Sequence, residues 1–175
     1  LHTWSMDRFN QVDNLLPIAK ELNWHLLLPE FRGPNLITNL RGKEACGSTL
    51  AKQDIIDAVD YAIQNYPVDS DKAYLIGGSG GGHMSLLMAA YAPKVWKAVA
   101  AFVPITDLEK WYFQNQHYSN HIAHCCGGPP EGDTLQEYKE RSPITFYKEI
   151  AKANVKIFHG KWDTSVPFTH SLELY

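Results

Sequence analysis

The sequence predicts an α/β fold with a mostly parallel, doubly wound sheet, and three observations predict it. Short apolar runs, such as Ala98–Val103 and Val155–Phe158, alternate with longer amphipathic segments. Strands that are apolar on both sides need cover on both faces, the arrangement of a parallel sheet between helix layers. Lastly, a glycine-rich turn, Gly77–Gly82, sits between one such run and a helical segment.

Trp24–Leu28 reads as the first buried strand, closed by Pro29 and the Arg32-Gly33-Pro34 turn. On it, His25 is expected to be a satisfied core residue. Arg32 is expected to hold its loop through charge-assisted hydrogen bonds. Residues 50–65 read as a helix, because Ile55, Val59 and Ile63 fall on one face. Ala73–Ile76 is the next strand, and a helix from Gly80 to Tyr91 stops before Pro93. Ala98–Val103 and Val155–Phe158 complete the visible strands, and a further helix starts near Pro167. The chain opens without Met and stops soon after a strand-loop-helix unit, so the fold is expected to be incomplete at both ends. Residues 105–142 break the rhythm with aromatics, His, Gly and Pro. They read as a lid-like excursion over the sheet's C-terminal edge, where α/β proteins hold ligands. The organisation is a single domain over residues 1–175.

With 175 residues, 45% of them hydrophobic, the chain suffices for one core. The net charge of −3, with Lys and Arg scattered, gives no nucleic-acid footprint. No apolar run approaches a membrane span. Cys46 and the adjacent pair Cys125 and Cys126 make a poor disulfide framework. No signal peptide is visible.

The chemistry is carried by Gly77-Gly78-Ser79-Gly80-Gly81, which fits G-x-S-x-G directly after a strand and at the opening of a helix. That sharp turn pushes the Ser79 hydroxyl into the open, and the flanking glycines remove side chains that would clash. The N–H of Gly80, at the helix start, can donate to an oxyanion. A P-loop would need Gly-Lys-Ser/Thr where this loop has Gly82-His83-Met84. A dinucleotide fingerprint starting at Gly78 would need glycine where His83 stands. Ser79 is therefore read as a nucleophile. Asp163, just past the last strand, is read as the acid that orients a histidine. Asp107 is the reserve candidate.

The elbow Gly-Gly-Ser-Gly-Gly-Gly-His, the run His159-Gly160-x-x-Asp163-x-x-Val166-Pro167 and the Arg141-Ser142-Pro143-Ile144 segment together resemble the prolyl-oligopeptidase branch of the α/β-hydrolases. Leu1-His2-Thr3-Trp4 resembles the end of the strand that carries His-Gly in that branch, with Thr3 in place of glycine. The resemblance implies that the Trp4 N–H is the second oxyanion donor. It also implies a histidine base after one further strand, beyond Tyr175. His170, downstream of Asp163 but on the final helix, is not expected to fill that role.

Other candidates have plainer readings. His117, His121, His124 and Cys125 have a spacing that could bind zinc, yet no H-E-x-x-H is present and a polar lid helix suffices. Cys125 and Cys126 read as buried small hydrophobes, and His83 as a helical residue that packs or faces solvent. Trp111, Tyr112 and Phe113 line a substrate wall or form a core cluster. The resulting expectation is a serine hydrolase of carboxylic esters or peptide bonds, working through an acyl-enzyme on Ser79. No cofactor, metal, nucleic acid or membrane is implied; the partner is a small ester or peptide substrate. The chain has no β-propeller, which favours an ester. The rival reading is a non-catalytic binding domain lacking the base.

Overall fold

A computed structural model describes residues Leu1–Tyr175. Three strands, β1 (Tyr74–Gly78), β2 (Ala98–Phe102) and β3 (Val155–Phe158), form a parallel sheet in the order β1-β2-β3. Gly78 lies opposite Phe102, and Phe102 opposite Phe158, so all three strands end at one level. The helices are α1 (Val12–Glu21), α2 (Thr49–Asn65), α3 (Gly80–Tyr91), α4 (Leu108–Gln114), α5 (Gln116–Cys126), α6 (Thr134–Glu140), α7 (Tyr147–Ile150) and α8 (Thr169–Leu174).

Helix α3 carries no charged residue, and everything from Gly80 to Ala89 is buried. A helix that is apolar all round belongs at the centre of a fold, and α3 occupies that place against β1 and β2. Its Met84, Leu87 and Met88 join Ala51, Ile55 and Val59 of α2, Leu75, Val99 and Trp96 in the largest core cluster. Leu86 packs in a separate cluster with Ala101 and Ile150. Helix α2 starts on Ser48, whose hydroxyl accepts from the Ala51 N–H at 3.1 Å. Ile55 and Val59 are buried as their spacing predicts, whereas Ile63 remains exposed.

The expected strand Trp24–Leu28 does not form. The segment is extended but makes no ladder, and Trp24 is exposed with its ring stacked on Tyr74 at 4.9 Å. His25, expected in the core, is exposed as well. An apolar groove of about 970 Å³, lined by Leu26, Leu28, Ile55, Leu75 and Val99, adjoins the segment. A strand is defined by the neighbour that takes its backbone bonds. Here no strand lies alongside, so the apolar run records an affinity for burial without a ladder.

Residues 105–142 are largely helical, comprising α4, α5 and α6. Their apolar side chains build a second core cluster in which Ile105, Leu108, Trp111, Ile122 and Tyr138 meet Trp4, Cys46 and Val166. Trp111 is a core residue, Tyr112 packs on that core, and Phe113 is exposed. Arg32 grips Asp54 through Nε and Nη2 and reaches Glu44 through Nη1. It holds its loop as the sequence suggested.

Candidate active site

The strand-to-helix turn holds Ser79 at φ 54°, ψ −118°. Such a backbone is unfavourable for an L-residue and persists only where the surroundings over-determine it. They do so here: the Ser79 N–H donates to the Phe102 carbonyl at 2.9 Å, and the Ser79 carbonyl accepts from the His83 N–H at 2.9 Å. Glycine is obligatory at position 77, where a Cβ would lie 2.2 Å from the Gly81 carbonyl oxygen. Ser79 is partly exposed, and its hydroxyl makes no capping hydrogen bond to α3.

Gly80 and Trp4 are brought together. A Cβ on Gly80 would lie 2.5 Å from the Trp4 nitrogen and 2.6 Å from its Cα, so the Trp4 backbone rests on the first turn of α3. The first N–H groups of a helix have no intrahelical acceptor, and the Trp4 N–H has none either. Two free donors therefore lie side by side next to Ser79. Trp4 is fixed from behind, where its carbonyl accepts from the Asn35 N–H at 2.8 Å. Its indole is buried edge-on against Trp111, with centroids 4.9 Å apart. The Thr3 N–H donates to Asn10 Oδ1 at 3.1 Å. Thr3 is not among the residues with left-handed φ, so this backbone does not require glycine there.

Asp163 lies in the turn after β3. Its Oδ1 accepts from the N–H groups of Ser165 (2.9 Å) and Val166 (2.8 Å), and Oδ2 has no partner. Because Gly78 and Phe158 end level, Ser79 and Asp163 both emerge at the C-terminal edge of the sheet. Two strand spacings, roughly 10 Å, separate the ends of β1 and β3. His159 braces this loop. Its Nε2–H donates to the Val166 carbonyl at 2.8 Å, which leaves Nδ1 to accept from the Ser171 hydroxyl at 2.6 Å.

None of the eight histidines hydrogen-bonds Ser79 or Asp163. His170 is buried: its Nδ1 accepts from the Thr106 N–H at 3.2 Å, and its Nε2–H donates to Gln114 Oε1 at 3.0 Å. Burial lowers its pKa to about 4, with nearby Lys110 adding to the shift. His83 is also buried and donates from Nε2 to the Arg141 carbonyl at 2.6 Å. Burial lowers its pKa to about 4.

The zinc-spaced residues on α5 are used separately. His121 accepts from the Ile37 N–H, His124 donates to the Asn39 carbonyl, and no His, Cys, Asp and Glu converge as metal ligands. Asp107, the reserve carboxylate, caps α4 by accepting from the Lys110 N–H at 3.0 Å. Asn35 and His159 escaped sequence reasoning as supports of the site. A single Asn after Pro34 carries no pattern, and the role of His159 depends on Ser171 closing over it from α8.

Residues 40–175 match the Prolyl oligopeptidase family. The acylamino-acid-releasing enzyme 1 of Oryza sativa subsp. japonica is 25% identical over 162 residues, covering 86% of this chain and 20% of that protein. The acylamino-acid-releasing enzyme of Mus musculus is 28% identical, covering 80% of this chain and 21% of its own. The inactive dipeptidyl peptidase 10 of Mus musculus is 28% identical over 73% of this chain and 15% of its own. Among solved structures, the Pyrococcus horikoshii acylaminoacyl peptidase superposes with a TM-score of 0.62 at 22% identity, covering 74% of this chain and 21% of that one. The chain thus spans about a fifth of the length of these relatives. The matched stretch contains the elbow, the Asp163 loop and every strand of the sheet, and the α/β-hydrolase fold is the one the superposed structure shares. The chain belongs to the prolyl oligopeptidase family.

Proposed function

We propose that this chain carries the nucleophile of a serine hydrolase that cleaves peptide or ester bonds through an acyl-enzyme on Ser79. The observation that carries the reading is the strained Ser79 beside two unpaired backbone donors, Gly80 and Trp4. In the proposed mechanism a base takes the Ser79 proton as Oγ attacks the carbonyl carbon. Charge then develops on the carbonyl oxygen, where the Gly80 and Trp4 N–H groups stabilise it. The tetrahedral intermediate collapses to an ester on Ser79, the leaving group departs protonated, and water reverses the sequence. Asp163, with Oδ2 free, holds and orients the imidazole of the base. No histidine within Leu1–Tyr175 is paired with either residue, so the base is proposed to come from a segment beyond Tyr175. The names of the acylamino-acid-releasing relatives favour a peptide bond near an acylated N-terminus over the ester first expected.

A second reading, a non-catalytic domain, has the inactive dipeptidyl peptidase 10 as its precedent. The two readings separate in one experiment. A fluorophosphonate probe is applied to this chain and to a version extended to the next stop codon. Labelling of Ser79 in the extended version is expected. Absence of labelling in both would favour the binding domain.

A further inference from the structure

His2 is buried, at 3% exposure, and no step of the mechanism proposed above uses it. Phe31 stacks on its ring at 3.9 Å with the planes 8° apart. Gly33 lies against the ring edge, where a Cβ would come within 2.5 Å of Cε1. So confined, the ring turns its two nitrogens toward different groups. Nδ1 lies 3.0 Å from the Thr3 carbonyl oxygen, and Nε2 lies 3.2 Å from Glu30 Oε1. The other carboxylate oxygen, Oε2, accepts from the Arg8 N–H at 3.1 Å.

The Thr3 carbonyl can only accept, so Nδ1 carries a hydrogen and donates to it. Nε2 and Glu30 Oε1 are both buried, and neither has a hydrogen-bond partner elsewhere. Two bare lone pairs in that position repel, whereas one proton between them makes a strong hydrogen bond. Burial favours the neutral ring, against the pull of the Thr3 carbonyl and of Glu30. Whichever atom holds the shared proton, the pair as a whole is uncharged, which suits a buried site.

The Thr3 carbonyl belongs to the same peptide group as the Trp4 N–H. A donor on an amide oxygen draws electron density from the amide nitrogen, and hydrogen bonds chained in this way strengthen one another. The same bond fixes the rotation of the peptide plane, and with it the direction of the Trp4 N–H beside Gly80. The peptide groups on either side are clamped by Asn10, which accepts from the Thr3 N–H, and by the Asn35 N–H, which donates to the Trp4 carbonyl. His2 holds the one between them. We propose that His2, anchored on Glu30, is a positioning residue that orients and polarises the Thr3–Trp4 peptide group for oxyanion binding. The inference rests on the roles proposed above for Ser79 and Trp4. His2 itself touches no substrate; it acts through the Trp4 N–H.

The test uses the version extended to the next stop codon and has two arms. In the first, histidine nitrogens are isotope-labelled, and the His2 ring is assigned by NMR as the signals that His2→Asn removes. A protonated Nδ1 is expected; an unprotonated Nδ1 would overturn the proposal without any reference to activity. In the second, the rate of fluorophosphonate labelling of Ser79 is measured alongside Tm. In His2→Leu labelling is expected to slow by about 10–100-fold, short of the loss of about 10²–10³ that follows removal of a whole oxyanion donor. His2→Asn places an amide donor near the position of Nδ1 and is expected to restore most of the rate. Glu30→Ala removes the anchor while leaving the ring in place, and is expected to slow labelling in the same sense but less; it decides the matter if His2→Leu fails to fold. A parent rate in Glu30→Ala or in folded His2→Leu would overturn the proposal, as would a His2→Asn rate no better than that of His2→Leu at matched Tm. A parent whose Ser79 does not label would overturn the Ser79 reading and this one with it, whereas a labelled parent with unaffected variants overturns this one alone.

Discussion

The Ser79 backbone is strained, and its hydroxyl does not cap α3, so alanine can take its place in the turn. Ser79→Ala is therefore expected to fold normally and to lose all fluorophosphonate labelling; labelling that survives would place the nucleophile elsewhere. Asp163 plays two parts, since Oδ1 organises the turn and Oδ2 remains free. Asp163→Asn keeps an oxygen for the Ser165 and Val166 N–H groups, so the fold is expected to persist. Turnover is expected to fall by about two to four orders of magnitude, because in the proposed mechanism Asp163 is the carboxylate that orients the histidine. Near-normal turnover would transfer the role to another carboxylate, with Asp107 the first to examine.

At the scale of elements, the proposed site is the junction of β1 with α3, and its geometry is written in glycines. The Gly80 Cα lies so close to the Trp4 backbone that an added methyl must displace it. Gly80→Ala is expected to lower turnover by about 10²–10³, the usual cost of losing one oxyanion donor, and to lower the Tm as well, because the methyl meets buried backbone. An enzyme with unchanged turnover would show that the Trp4 N–H takes no part. Much of this junction was legible in the sequence. The bounds of α3 agree with Gly80–Tyr91, and the elbow lies where the motif required, because tight turns admit few residues. Trp24–Leu28 was misread because periodicity reports which residues seek burial, not whether a neighbouring strand exists. The placement of Trp4 against Gly80 was reached only through family resemblance. No local pattern encodes contact between two segments so distant in the chain.

At the scale of the whole molecule, two features govern how the chain behaves in solution. The apolar groove beside β1 leaves Trp24, Leu27, Tyr74 and Ile76 exposed. Patches of this kind promote association, so sedimentation is expected to show mass rising with concentration; a strictly monomeric profile would contradict this. The second feature is acid lability. His83 and His170 are both buried, each with a pKa of about 4 against about 6.5 when unfolded. Between those values the unfolded chain binds protons that the native state refuses, so stability is complete above about pH 6.5 and declines as pH falls toward 4. Each ring accounts for a loss on the order of 2–3 kcal/mol across that window. The cause at His170 is concrete: protonating Nδ1 removes the acceptor of the Thr106 N–H and places a charge in a buried site. His170→Asn supplies a non-titrating oxygen near the position of Nδ1. Its Tm is expected to fall less steeply than that of the parent between pH 6.5 and 4, by about half of the histidine-dependent slope. Equal slopes in parent and variant would mean that His170 already carries its proton in the folded protein.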